Sequence, residues 1–127
     1  MLEPGLQGTA RLTVDIADTA TAVGSGDVPV LATPRLIALC EEASLAAVHG
    51  HLAAGETTVG SRIEIDHLAP TPIGRPISAI AVLESIDGKL LRFAVAAVDG
   101  DRDIATGTLH RFVVDREQFL ARSGAGS

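Results

Sequence analysis

The sequence predicts an α+β fold in which a curved antiparallel sheet of about five strands wraps one long helix. Three observations predict it. Only one long helical signal is present, from Ala32 to Gly50, and it is apolar almost all round. Most of the remaining chain alternates with the period of two that belongs to strands. Finally, Asp87-Gly88 and Asp99-Gly100 each separate two apolar runs, the strongest short hairpin signal. A helix with little polar face must be buried, and a sheet curved around it is the compact solution.

In chain order, Met1 to Gly8 reads as loose. Arg11 to Ile16 alternates and predicts a first strand, with Leu12, Val14 and Ile16 on one face. Thr19 to Leu31 is broken by Gly24, Gly26 and Pro29 and reads as a loop leading into the helix. Thr33 is the expected cap of that helix, Pro34 suits its first position, and Gly50 ends it. Helical phase separates two adjacent acids: Glu42 shares a face with Arg35 and His49, whereas Glu41 falls among Pro34, Ile37, Leu45 and Val48. An acid in an apolar stripe costs several kcal/mol unless paired, hydrogen-bonded or protonated, to an order-of-magnitude estimate. From the helix alone, Glu41 is either an acid paired with an Arg or one half of a pocket shared with the Thr33 hydroxyl.

Thr57 to Leu68 gives the clearest strand. Val59, Ser61, Ile63, Ile65 and His67 point one way, and Gly60, Arg62, Glu64 and Asp66 the other. The charged set takes water, which places His67 inward beside Ile65. A turn at Ala69 to Gly74 leads to strands at Arg75 to Ile86, Leu90 to Val98 and Ile104 to Val114, read as a four-strand meander with the preceding one. Asp115 to Arg122 predicts a short helix, and Ser123 to Ser127 a frayed end. Residues 1–127 read as a single domain without repeat or linker.

Composition narrows the function. Three Phe are the only Phe, Tyr or Trp residues, so a base-stacking platform is not expected, and the net charge of −6 argues against a polyanion partner. The single cysteine, Cys40, excludes a disulfide framework and reads as a small buried residue of the helix. No metal site is read, since His49 and His51 suit a helix C-terminus better than a metal pair. With no signal peptide and no spanning apolar run, the expectation is a cytoplasmic protein without membrane contact. Strands apolar on both faces, such as Ile80 and Val82 opposite Ala79, Ala81 and Leu83, point to a second subunit.

The element order is joined by Ala32-Thr33 opening the helix, Glu41 eight residues on, and Gly60 and His67 in the next strand. The Pro72-Ile73-Gly74 turn follows, then Gly107-Thr108 and Arg111 in the last strand. Together these resemble the hotdog-fold thioesterases, in particular the subgroup typified by fluoroacetyl-CoA thioesterase. The resemblance runs from the first strand to Val114. It implies a hotdog fold and hydrolysis of an acyl-CoA thioester to free acid and thiol, without a cofactor, in a homodimer or tetramer. It also implies a catalytic Thr, Glu and His where two subunits meet, roles that fall on Thr33, Glu41 and His67. Gly60 would be a backbone contact near the thioester carbonyl. Arg111 is assigned to substrate binding, one of four Arg residues (with Arg35, Arg75 and Arg92) that are candidates for coenzyme A phosphates. Glu41 is left open as nucleophile or general base.

One departure is visible. The fluoroacetyl-specific enzyme guards its pocket with aromatic residues in the loop before the helix, and here Val23 to Leu31 contains none. Fluoroacetyl selectivity is therefore not expected. The alternative function is a non-catalytic hotdog module that binds an acyl-CoA or acyl carrier. A hydratase is weaker still, because Ser25-Gly26-Asp27 lacks the Asn-Pro and His of that signature.

Overall fold

The computed structural model describes residues 1–124. Its elements are β1 (Gln7–Thr13), a 3-10 turn (Ile16–Asp18), α1 (Ala20–Val23), α2 (Thr33–Val48), β2 (Glu56–His67), β3 (Pro76–Asp87), β4 (Leu90–Asp99), β5 (Arg102–Asp115) and α3 (Arg116–Arg122). The five strands form one curled antiparallel sheet with α2 packed on its inner face, chiefly against β1 and β3. The expected α+β wrap of sheet around helix is what the chain forms.

The core follows from the helix pattern. Leu36, Leu39, Cys40, Ala43 and Ala47 fall on one face of the helix, and they pack on Ala79, Ala81, Leu83, Phe93, Val95 and Leu109 from the sheet. The stripe that holds Glu41 is a different one. Leu45 is 44% exposed, and Thr33, Pro34 and Ala46 are exposed too, so α2 is less enclosed by its own chain than its composition suggests.

Three expectations need correction. The first strand begins earlier than its alternation implies, and Met1 to Gly8 is not loose. The Gly5 amide donates to the Leu83 carbonyl, Leu2 and Leu6 pack on the core, and His51 Nδ1 lies 3.0 Å from the Met1 carbonyl. Gly8 hides the pattern because it has no side chain to alternate. A Cβ there would run into the Ala43 carbonyl and the Ala47 amide, so only glycine lets β1 lie directly on α2. Second, Ile16 does not continue the inner face of β1. Asp15 and Asp18 form a reciprocal cap that turns the chain after buried Val14, leaving Ile16 69% exposed. Third, the sheet order is β1-β3-β4-β5-β2: β3 to β5 form a meander, but β2 crosses to the far edge and pairs with β5. The predicted short helix at the end is α3, capped by the Asp115 carboxylate. The frayed end expected at Ser123 to Ser127 falls largely outside the described residues.

Candidate active site

Two side-chain groups are built at opposite ends of the α2 segment that faces β2. At the head of the helix, Thr33 Oγ1 lies 2.7 Å from His67 Nδ1. Thr33 is not the cap expected of it. Ala32 holds that position and makes no side-chain bond, which leaves the Thr33 hydroxyl for the imidazole. His67 closes β2 opposite Ala105, inward as predicted, in line with Ile63 and Ile65. Its Nε2 is buried and has no hydrogen-bond partner among the described residues. Burial holds the His67 imidazole below its ordinary value, opposed by the Ala69 backbone, which makes no well-formed bond to Nε2. The ring is neutral at pH 7, as a proton acceptor must be.

Two turns along, Glu41 meets Arg111. Arg111 Nη1 lies 3.4 Å from Glu41 Oε2, Nε donates to Thr58 Oγ1 at 2.8 Å, and Nη2 donates to the Thr58 carbonyl at 3.0 Å. The Arg111 side chain is only 7% exposed and that of Glu41 36%. Burial lowers the pKa of the guanidinium and the Glu41 carboxylate pulls it back up, yet it stays a cation at any physiological pH. Thr58, which sequence reasoning passed over, fixes the plane of that cation.

Gly60 belongs to the same group, and its predicted face was wrong. It stands opposite Arg111 in the ladder, and a Cβ on it would sit 2.6 Å from Glu41 Oε2. The register slips between Gly60 and Arg62, leaving Ser61 as the extra residue of a bulge. Thr58 and Gly60 therefore face inward before the bulge, and Ile63, Ile65 and His67 after it. An unbroken strand would have put Gly60 and His67 on opposite faces. The one available signal was a glycine inside a strand pattern.

The two groups do not meet within the chain. Thr33 and Glu41 are eight residues apart, about 12 Å along the axis. Among the described residues, no hydrogen bond or ion pair joins Thr33–His67 to Glu41–Arg111. Thr33 and His67 instead open onto a pocket of about 380 Å³ walled by Val28, Val30, Leu31, Leu68, Ala69 and Pro70. The Arg residues expected at coenzyme A phosphates all face carboxylates: Arg35 meets Asp18 and Glu42, Arg75 meets Asp99, Arg92 meets Asp87, and Arg111 is turned inward to Glu41.

Residues 14–117 match the model of a family described as fluoroacetyl-CoA-specific thioesterase. The chain is also 37% identical over 93 residues to the fluoroacetyl-CoA thioesterase of Streptantibioticus cattleyicolor, covering 73% of this chain and 67% of that one. This chain belongs to that family.

Solved structures agree. A fluoroacetyl-CoA thioesterase superposes with a TM-score of 0.91 at 28% identity, covering 100% of this chain and 98% of that one. A Phe-to-Ala mutant of the fluoroacetyl-CoA-specific enzyme, in complex with fluoroacetate and CoA, gives 0.86 at 30% identity, covering 93% and 99%. A thioesterase superfamily member from Thermus thermophilus shares the fold, with a TM-score of 0.90 at 23% identity over 98% and 92% of the two chains. The chain is a thioester hydrolase of the hotdog fold. Family membership gives the two groups a chemical setting: an acyl-CoA presents one electrophilic carbonyl and one leaving sulfur.

Proposed function

We propose that the chain hydrolyses acyl-CoA thioesters with Thr33, His67 and Glu41, at a site completed by a second copy of itself. The observation that carries this is the Thr33 Oγ1–His67 Nδ1 contact of 2.7 Å at the mouth of an apolar pocket. A hydroxyl tied to a neutral imidazole is a proton-handling pair, and the pocket beside it suits an acyl group.

The carbonyl carbon lies between the two groups. The N–H groups of Thr33 and Arg35 open α2 without an intrahelical acceptor, and Pro34 has none to offer, so two donors and the positive helix end face the developing oxyanion. Glu41 either attacks the carbon, giving an anhydride that water opens, or takes the proton of the attacking water. Both routes break the C–S bond, consume one water, pass a proton to the thiolate, and release one carboxylic acid and one coenzyme A thiol. ¹⁸O from water found in Glu41 after one turnover establishes the anhydride route when water opens it at the Glu41 carbon, and borohydride reduction of Glu41 during turnover detects the anhydride when water attacks the acyl carbon.

A homodimer resolves the 12 Å gap estimated from the helical rise. In a two-fold interface residue i meets j as j meets i. Two α2 helices laid antiparallel about an axis near Ile37 bring Thr33 of one copy beside Glu41 of the other. The exposed flank of Pro34 and Leu45 supplies apolar surface for this contact. The test is thiol release from a panel of acyl-CoAs by wild type, Thr33→Ala, Glu41→Gln and His67→Ala. Each variant is expected to lose about 10² in kcat. Full turnover by both Glu41→Gln and His67→Ala would overturn the reading, and binding without turnover by the wild type would favour the non-catalytic module.

A further inference from the structure

The pocket beside Thr33 and His67 carries information on the acyl group itself. Its walls, Val28, Val30, Leu31, Leu68, Ala69 and Pro70, are aliphatic, and its polar lining is limited to Ser25 and the Thr33–His67 pair. No charged side chain lines it, so a second carboxylate on the acyl group would enter without a partner. No aromatic side chain lines it either. Val28 is 51% and Leu68 56% exposed, apolar surface left to solvent at the mouth of the pocket. The volume of about 380 Å³ is well beyond a two-carbon group, since an apolar cavity of roughly 150 Å³ already accepts benzene.

We infer that this pocket selects an uncharged aliphatic acyl group of about four to eight carbons. The inference rests on the hydrolase reading above and names its substrate class. Each methylene that enters is worth about fourfold in kcat/KM if fully buried, and less at a half-open mouth. The gain ends when the chain outgrows the walls.

Two measurements test it. The first is kcat/KM for straight-chain acyl-CoAs from acetyl to decanoyl, with succinyl-CoA as the charged control. A rise of at least about tenfold from acetyl to hexanoyl, and succinyl at or below acetyl, is the expected result. Val28→Phe should fill the space and move the optimum to shorter chains, while Leu68→Ala should move it to longer ones. Both positions are exposed, so neither change threatens folding. The second is the affinity of S-alkyl-CoA thioethers, which have no carbonyl to hydrolyse. Affinity that grows with alkyl length and loses that growth in Val28→Phe supports the pocket even if no thioester is turned over, in which case only the hydrolase reading fails. Hydrolysis with a flat length profile, or thioether affinity indifferent to alkyl length and to Val28→Phe, overturns the inference and leaves the hydrolase reading standing.

Discussion

Arg111 places Nη1 3.4 Å from Glu41 Oε2, at the point where a side chain on Gly60 would stand. The arginine spends two further donors on Thr58, so it is a fixed clamp rather than a free surface cation. On the function proposed above, its effect on chemistry runs through the orientation of Glu41. Arg111→Met should lower kcat at least about tenfold and stability by about 2 kcal/mol, because Thr58 loses two charge-assisted bonds. KM should move less than about twofold, as no phosphate is released from an inward-facing group. A large rise in KM with kcat intact would return Arg111 to the role of a substrate phosphate contact.

Gly60→Ala tests the same group from the other side. The added methyl would fall 2.6 Å from Glu41 Oε2 and 3.7 Å from Arg111 Nη1. The nearer atom ends a flexible side chain, so the carboxylate swings away and the fold tolerates it. The expected result is a kcat loss of about 10² with less than about 1 kcal/mol of destabilisation. Unchanged kcat would show that the position of Glu41 does not matter to turnover.

His67 sets a pH dependence of known sign. Burial lowers its folded-state value below that of the unfolded chain, near 6.5. The contribution to stability is complete above pH 6.5 and is lost as pH falls from there through the folded value. The acid limb of kcat/KM should likewise lie below 6.5. His67→Gln should flatten both curves over that window, in chemical denaturation and in turnover. An acid limb above 6.5 would mean that another group carries the proton. Cys40, pushed up to about 11 by burial and secondarily by Glu41, stays a thiol throughout and leaves these curves untouched.

The helix limits, the inward face of His67 and the separation of Glu41 from Glu42 were legible in the sequence, because each rests on a period that local residues declare. Glu42 indeed pairs with Arg35, at 3.5 Å. What was not legible rests on absences or on distant partners. Gly8 and Gly60 show no side chain to read, yet both mark close approaches, one to the α2 backbone and one to a carboxylate. The bulge at Ser61 reverses half a strand without changing its composition. Thr33 has the right chemistry to cap α2, but a histidine 34 positions later takes its hydroxyl. The inward turn of Arg111 depends on Thr58, and that pairing is set by β2 crossing to β5 rather than following β3.

Fluoroacetyl-CoA should hold no special advantage over acetyl-CoA. The loop before α2 contains no aromatic residue, and the apolar walls of the pocket beneath it are aliphatic. The two substrates differ by one fluorine, and nothing in that lining is built to favour it. The kcat/KM ratio should stay well below a hundredfold, equivalent to about 2.7 kcal/mol. A larger preference would place selectivity in the chemical step rather than in the pocket walls.

The proposed pairing of the two groups across a dimer yields the sharpest test. Suppose each site combines Thr33 and His67 of one copy with Glu41 of the other. Glu41→Gln and His67→Ala are then each nearly inactive alone, down by about 10² in kcat, since every site in either homodimer lacks one group. Glu42→Gln, whose acid is half exposed and bonded to Arg35, should retain full kcat and lose at most about 0.5 kcal/mol. Unfolding the two inactive variants together and refolding them at equal amounts gives about half heterodimers. Each heterodimer holds one site with both mutations and one with neither, so about a quarter of wild-type activity should return. If all three residues acted from a single copy, every site in the mixture would keep exactly one lesion and mixing would restore nothing. Light scattering on the same samples must show a dimer or a multiple of it, because a monomer would remove the partner that the recovered activity requires. Recovery to about a quarter, absent from a mixture of Glu41→Gln with itself, ties the 2.7 Å Thr33–His67 pair of one copy to the Arg111-held Glu41 of the other.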